Sequence, residues 1–226
     1  FFLTMEAFGR VFPGHRRFAQ WDQMTDRERE LQRRDIADLF VQISRRFEWS
    51  AIFFHAPDGW GNARDDETMR TLDAIREQSG DEFFLTMHGD ATWSIPDGEK
   101  MVQFTMDLAD KPQEIKDQAD SRVDNALARA ERFGKHGALD GFALCADYCF
   151  NTGPFLSPAM FDEFITPYLK RLIAGYRELG LYVIKHTDGN IMPILDSLVE
   201  CNPHALHSLD PQGGVDIAEV KRQVGD

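Results

Sequence analysis

Apolar and polar positions along this chain follow two different periods, and the switches between them predict its elements. Between positions 26 and 47 the apolar residues Ile36, Leu39, Phe40, Ile43 and Phe47 recur at i, i+3, i+4 and i+7, the spacing of one helix face. Thr25 and Glu28 stand where a reciprocal capping box would open that helix. Residues 50–55 read as a strand, 65–78 as a helix, 82–88 as a strand, 99–110 and 111–133 as helices, and 140–147 as a strand. Ser157 followed by Pro158 opens a helix to about residue 179, with a kink expected at Pro167, which lacks a backbone donor. A strand at 181–186 follows, then a helix over 191–200 capped by Asn190 and a short strand at 205–209. A last helix is capped by Asp216, with Glu219 three residues on. The apolar opening, residues 1–5, reads as one more strand.

Strands separated by helices, with apolar residues on both faces, argue for βα units and a parallel sheet. An open doubly wound sheet should show GxGxxG after its first strand, and the chain has none. The expectation is therefore an α/β fold of the TIM (β/α)8 barrel type, whose chemistry sits at the C-terminal ends of the strands. The strands end at His55, at His88 with Asp90, at Asp147, at His186 with Asp188, and at Asp210. Asp also starts loops for local hydrogen-bonding reasons, so any one of these has a plain explanation. Histidine has no such preference, and three strands end on one. A shared pocket explains the set better.

The segment HTDG, from His186 to Gly189, is the sharpest of these. Residues two apart on a strand point to one face, so His186 and Asp188 converge if the strand persists. An imidazole and a carboxylate suit a divalent metal, or an acid/base pair in which the carboxylate fixes the tautomer. A hydrogen-bonded turn would use the same two residues, so both readings stay open. Gly189 lets the chain bend toward a ligand.

Composition narrows the partners. At 226 residues, 42% hydrophobic and with 18 phenylalanines, the chain can build one large aromatic-rich domain. A net charge of −13 disfavours nucleic acid and anionic membranes, which need clustered Lys and Arg. No apolar run is long enough to span a bilayer, and no secretory signal is visible. Cys145, Cys149 and Cys201 are too few for a disulfide framework and read as reduced, buried thiols of a cytoplasmic protein.

Three segments carry a resemblance: CADYCFNTGPFLSPAMFDEFITPYLKRLI, IKHTDGNIMPILDSL and LDPQGGVDIAEVKRQVGD. Together they resemble the uroporphyrinogen decarboxylase-like superfamily over roughly residues 81–226. That group includes the decarboxylase of haem biosynthesis and methyltransferases that work with cobalamin and coenzyme M. The most specific part is the pattern of Asp147, Gly153, Ser157 and Pro158. Near the start, Met5, Gly9, Arg10 and Pro13 match the decarboxylase's N-terminal signature, whereas Glu6 and Ala7 stand where it has arginine and glutamine. The resemblance implies a TIM barrel. A complete barrel takes about 250 residues, so the chain is expected to be a fragment of a single domain lacking the last one or two βα units.

The resemblance also implies chemistry. In the methyltransferase branch a his-x-cys motif at this strand end supplies two zinc ligands. Here His186 matches and Asp188 replaces the cysteine, a harder site open to zinc first, but also to nickel, iron or manganese. Cys201, only 13 residues past Asp188, does not stand for that family's later cysteine ligand. The leading expectation is metal-assisted methyl transfer on a small methylated substrate, with a corrinoid supplied by a partner protein. His186 and Asp188 are then metal ligands, Asp147, His88 and Asp90 catalytic groups, and Arg10, His55 and Asp210 substrate-binding residues. A second reading is metal-free decarboxylation of a pyrrole-type acid, with Asp147 or Asp90 stabilising a protonated ring. Glu6 counts against a porphyrinogen, because two like charges at 4 Å repel by about 4 kcal/mol at an effective dielectric near 20. A third is a binding protein without chemistry.

Overall fold

A computed structural model of the chain describes residues 2–12 and 21–225. Two compact units emerge, residues 1–87 with 133–140, and residues 88–132 with 141–226.

The first unit opens with helix α1 (Phe2–Phe8), where a strand was expected. A short apolar run does not distinguish the two, and Leu, Met, Glu and Ala within it are good helix formers. Gly9, at φ +64°, ends the helix in the left-handed conformation. Phe1 and Pro13 lie outside the described residues. Helix α2 (Asp26–Arg46) carries the expected capping box: the Glu28 amide donates to the Thr25 hydroxyl, and the Thr25 amide to the Glu28 carboxylate. Its buried face, Ile36, Leu39, Phe40 and Ile43, is the one the spacing picked out. Strand β1 (Ala51–Phe54), helix α3 (Arg64–Ser79) and strand β2 (Phe84–His88) follow, and β1 pairs with β2 in parallel. Arg33 of α2 and Glu67 of α3, both buried, form an ion pair at 2.5 Å.

The second unit holds helix α4 (Gly98–Asp110) and most of α5 (Pro112–His136), then strand β3 (Gly141–Leu144). A hairpin of β4 (Cys149–Phe150) and β5 (Gly153–Pro154) comes next. The helix expected over 157–179 is two, α6 (Pro158–Phe164) and α7 (Thr166–Glu178), broken at Ile165 (φ −120°, ψ −55°) two residues before Pro167. Strand β6 (Tyr182–His186) pairs in parallel with β3 and with β7 (Ala205–His207). Helices α8 (Leu195–Glu200) and α9 (Ile217–Val224) complete the unit. The helix expected from Ile191 begins instead as a 3-10 turn at Met192, whose amide the Asn190 side chain caps at 3.1 Å.

The core of this unit joins Phe142, Leu144 and Val183 to Leu169, Leu172, Ile173 and Tyr176 of α7, all buried. The Tyr176 ring stacks on Phe142 at 4.6 Å, and its hydroxyl donates to the Gly89 carbonyl at 2.7 Å. Among the described residues no helix is long and apolar enough to cross a membrane.

Candidate metal centre

Strand β6 sorts its residues by the two-residue period of an extended chain. Val183, Lys185, Thr187 and Gly189 are buried, while Ile184, His186 and Asp188 are open to solvent in part or in full. His186 and Asp188 therefore come out on one face, as the spacing predicts. Asp147 joins them from the loop after β3. The His186 Nε2 atom lies 3.8 Å from Asp147 Oδ1 and 3.9 Å from Asp188 Oδ1, and one ligand atom from each of the three falls within 4.8 Å of the others. Asp147, expected as a catalytic group, thus stands beside the two expected metal ligands. The Asp188 amide also donates to Asp147 Oδ1 at 3.1 Å.

Two residues that no motif marked complete the group. The register of β6 and β7 sets His186 against His207, and their Nδ1 atoms lie 2.8 Å apart. One ring donates and the other accepts, which turns the His186 Nε2 toward the carboxylates. Ser208 donates to Asp188 Oδ1 at 2.5 Å. Their signal is a cross-strand register, which a single strand's sequence does not display. Gly189, at φ +81°, presses so close that a Cβ there would lie 2.6 Å from the Cys149 carbonyl oxygen. The Asn190 amide donates to the Phe150 carbonyl at 3.0 Å, so the bend after Asp188 is seated on the β4 backbone.

The donor set fits a divalent ion. Bonds of about 2.0–2.2 Å put neighbouring N and O ligands roughly 3–3.6 Å apart. The two imidazole–carboxylate distances, 3.8 and 3.9 Å, lie a few tenths of an ångström outside that range. The three atoms together lie within 4.8 Å of one another, so the carboxylates would draw in on an ion. One imidazole and two carboxylates make a hard-to-borderline set suited to zinc, iron, nickel or manganese. The thiols do not compete as nucleophiles: burial pushes Cys145 up to about 11 and Cys149 and Cys201 up to about 12. Cys201 is buried under α7, its Sγ 3.7 Å from the Thr166 carbonyl oxygen.

The other expected site residues have different surroundings. Asp90, expected as catalytic, has 10% of its side chain exposed and is paired at 2.9 Å with Lys185, which is fully buried. It also accepts from the Ala146 amide and from the Thr92 amide and hydroxyl. Burial opposes its charge, but the Lys185 ammonium and the Thr92 donors outweigh this and hold the carboxyl below its ordinary range. His88, at the exposed end of β2, lines a cavity of about 370 Å³ with Asp90, Arg122, Asn125 and Arg129. Asp210 caps the turn at Pro211–Gly213 by accepting from the Gln212 amide, and β7 stops three residues before it.

In the first unit, Arg10 commits its guanidinium to α2, donating to Asp38 at 2.8 Å and to Asp35 at 2.6 Å. A substrate anion would have to compete with two carboxylates. His55 lies among aromatic rings, 4.5 Å from Phe53 and 6.0 Å from Phe12 between centroids, at the edge of a cavity of about 380 Å³. In the motif of Asp147, Gly153, Ser157 and Pro158, only Asp147 reaches the centre. Gly153 (φ +144°) opens β5 just after the hairpin turn, and Ser157 caps α6 with Pro158 at its first position.

Residues 69–226 match the family model described as uroporphyrinogen decarboxylase (URO-D), close to the stretch of the sequence resemblance and leaving the N-terminal signature outside it. Among solved structures the chain is similar to a methyltransferase from Methanosarcina mazei, at 15% identity and a TM-score of 0.71, over 98% of this chain and 71% of that one. At that identity the likeness shows the fold, which is the expected TIM-barrel class. No curated protein matches the chain significantly in sequence.

Proposed function

Starting from a chain that belongs to the uroporphyrinogen decarboxylase family, we propose that it is a metal-assisted methyltransferase acting on a small methylated substrate, with a corrinoid supplied by a partner protein. One observation supports this above the rest: Asp147, His186 and Asp188 present three ligand atoms within 4.8 Å. A decarboxylase that works without metal has no need of such a set. The structural likeness to a methyltransferase points the same way.

A bound divalent ion would supply Lewis acidity at the methyl donor or acceptor. The chain's own residues do the rest. His186 offers Nε2, Asp147 and Asp188 each offer an oxygen, and His207 fixes the His186 ring from behind, as partners of metal-bound imidazoles commonly do. The two carboxylates balance the charge of a divalent ion, so a neutral substrate suits the site better than a polyanion. Glu6, exposed on α1, adds no cation for a porphyrinogen's carboxylates, and Arg10 is already held by Asp35 and Asp38.

The test supplies zinc-loaded protein with free cob(I)alamin and a panel of methylated amines, thiols and aryl ethers, and follows methylcobalamin by its spectrum. Zinc-dependent transfer from one class is expected. Turnover of uroporphyrinogen by the metal-free protein, with no transfer from any methyl donor, overturns the proposal in favour of a carboxy-lyase.

A further inference from the structure

We propose that Lys185 is a positioning residue for the candidate centre: it holds the Asp147 loop at the distance from His186 at which both can share one ion. The inference rests on reading Asp147, His186 and Asp188 as an ion site.

The period that turns His186 and Asp188 outward turns Lys185 and Thr187 inward, and the inward pair grips the backbone on either side of Asp147. The Lys185 ammonium donates to the Leu144 carbonyl at 3.1 Å, the Ala146 carbonyl at 2.9 Å and Asp90 Oδ2 at 2.9 Å, so its three donors meet three acceptors. It sits 4.1 Å from the centre of the Tyr148 ring. Asp90 takes the Ala146 amide at 2.9 Å, so both polar groups of that residue are held by one buried ion pair. Thr187 accepts from the Tyr148 amide at 2.9 Å. The carbonyl of Asp147 itself accepts from the Ile95 amide at 2.9 Å.

Four of these bonds fall on residues 144, 146 and 148, and the loop they hold is irregular backbone that no ladder supports. A buried ion pair is often replaceable by apolar side chains without loss of stability, so stability alone does not explain why a lysine is enclosed here. Its reach to the carbonyl at the end of β3 and to the Ala146 carbonyl within the loop does. Partners behind metal ligands typically matter 10–100-fold for metal affinity, although their own atoms touch no ion.

The test compares Lys185→Met, Lys185→Met with Asp90→Leu, Thr187→Val and Thr187→Ser against the unaltered chain. Cobalt(II) alone is titrated, with its absorption spectrum recorded, and hydrogen exchange of the Asp188 amide is measured without metal. That amide donates to Asp147, so it reports the loop's position directly, while the neighbouring Thr187 amide, bonded to the His207 carbonyl, reports the strand. Expected are a 10–100-fold weaker cobalt affinity, an altered spectrum and faster Asp188 exchange in the Lys185 and Thr187→Val variants. Thr187 exchange should be unchanged in the Lys185 variants, and Thr187→Ser should restore the original cobalt affinity and Asp188 exchange. Unchanged affinity and exchange in Thr187→Val and in whichever Lys185 variant folds overturn the inference. If the unaltered chain binds no cobalt, the ion-site reading falls. The positioning role is then decided by Asp188 exchange alone, faster supporting it and unchanged refuting it.

Discussion

Of the strands that lead into a histidine, β1 and β6 bring theirs to different chemistry. His55 follows β1 and is followed two residues on by Pro57. Phe53 and Phe12 are among its ring neighbours. His186 ends β6, is followed two residues on by Asp188, and has Asp147, Asp188 and His207 within 4 Å of its ring nitrogens. A strand ending on an imidazole is therefore only half a signal. The residue two positions later decides whether a second polar atom is carried to the same face, and the loop after the neighbouring strand decides whether a third arrives. His88 makes the point from the other side: Asp90 has the right spacing, but Lys185 draws its carboxylate into the interior.

The largest expected effect comes from removing what lies beneath the β6 end. Lys185→Met alone leaves Asp90 buried without its cation, which typically costs about 3–5 kcal/mol and is read from denaturant unfolding. The same pair predicts an acid limb. Asp90 titrates lower in the folded chain than when unfolded, so its ionised form stabilises the fold above an unfolded value of about 3.9, and that contribution is lost as pH falls through the lower folded value. Unfolding followed below about pH 4 should show this loss, and replacing both Lys185 and Asp90 by apolar residues should flatten it. Gly189→Ala comes next, because a Cβ at φ +81° would lie 2.6 Å from the Cys149 carbonyl oxygen. About 1–3 kcal/mol of destabilisation is expected, together with weaker ion binding as Asp188 moves. The smallest effect is His55→Phe, a volume-conserving swap among aromatic rings, expected to change stability by less than about 1.5 kcal/mol and ion binding not at all. A loss of ion binding in that variant would break the contrast between the two histidines.

Most helices were legible because their signals are local. The capping box of α2 and the Ser-Pro start of α6 lie within a few residues of the ends they set. The opening five residues were not, since a run that short has no measurable period and becomes α1. His186, Asp188 and Asp147 could be found because strand alternation and strand ends are one-dimensional features. His207 and Ser208 could not, because a parallel register decides which residue faces His186. Lys185 left a fainter trace, a charge following an apolar run on a strand, which reads equally as solvent-facing until the burial of Val183 and Thr187 shows which face it shares. The partners of Arg10, Asp35 and Asp38, are three apart on one face of α2, but nothing near Arg10 in sequence says that it reaches them.

The central claim is tested most directly by calorimetric titration of zinc into the unaltered chain and into His186→Ala, Asp147→Asn and His55→Phe. One ion per chain is expected, with affinity at least 100-fold lower in the first two variants and unchanged in the third. Equal binding by His186→Ala, or no binding by the unaltered chain, would contradict the account.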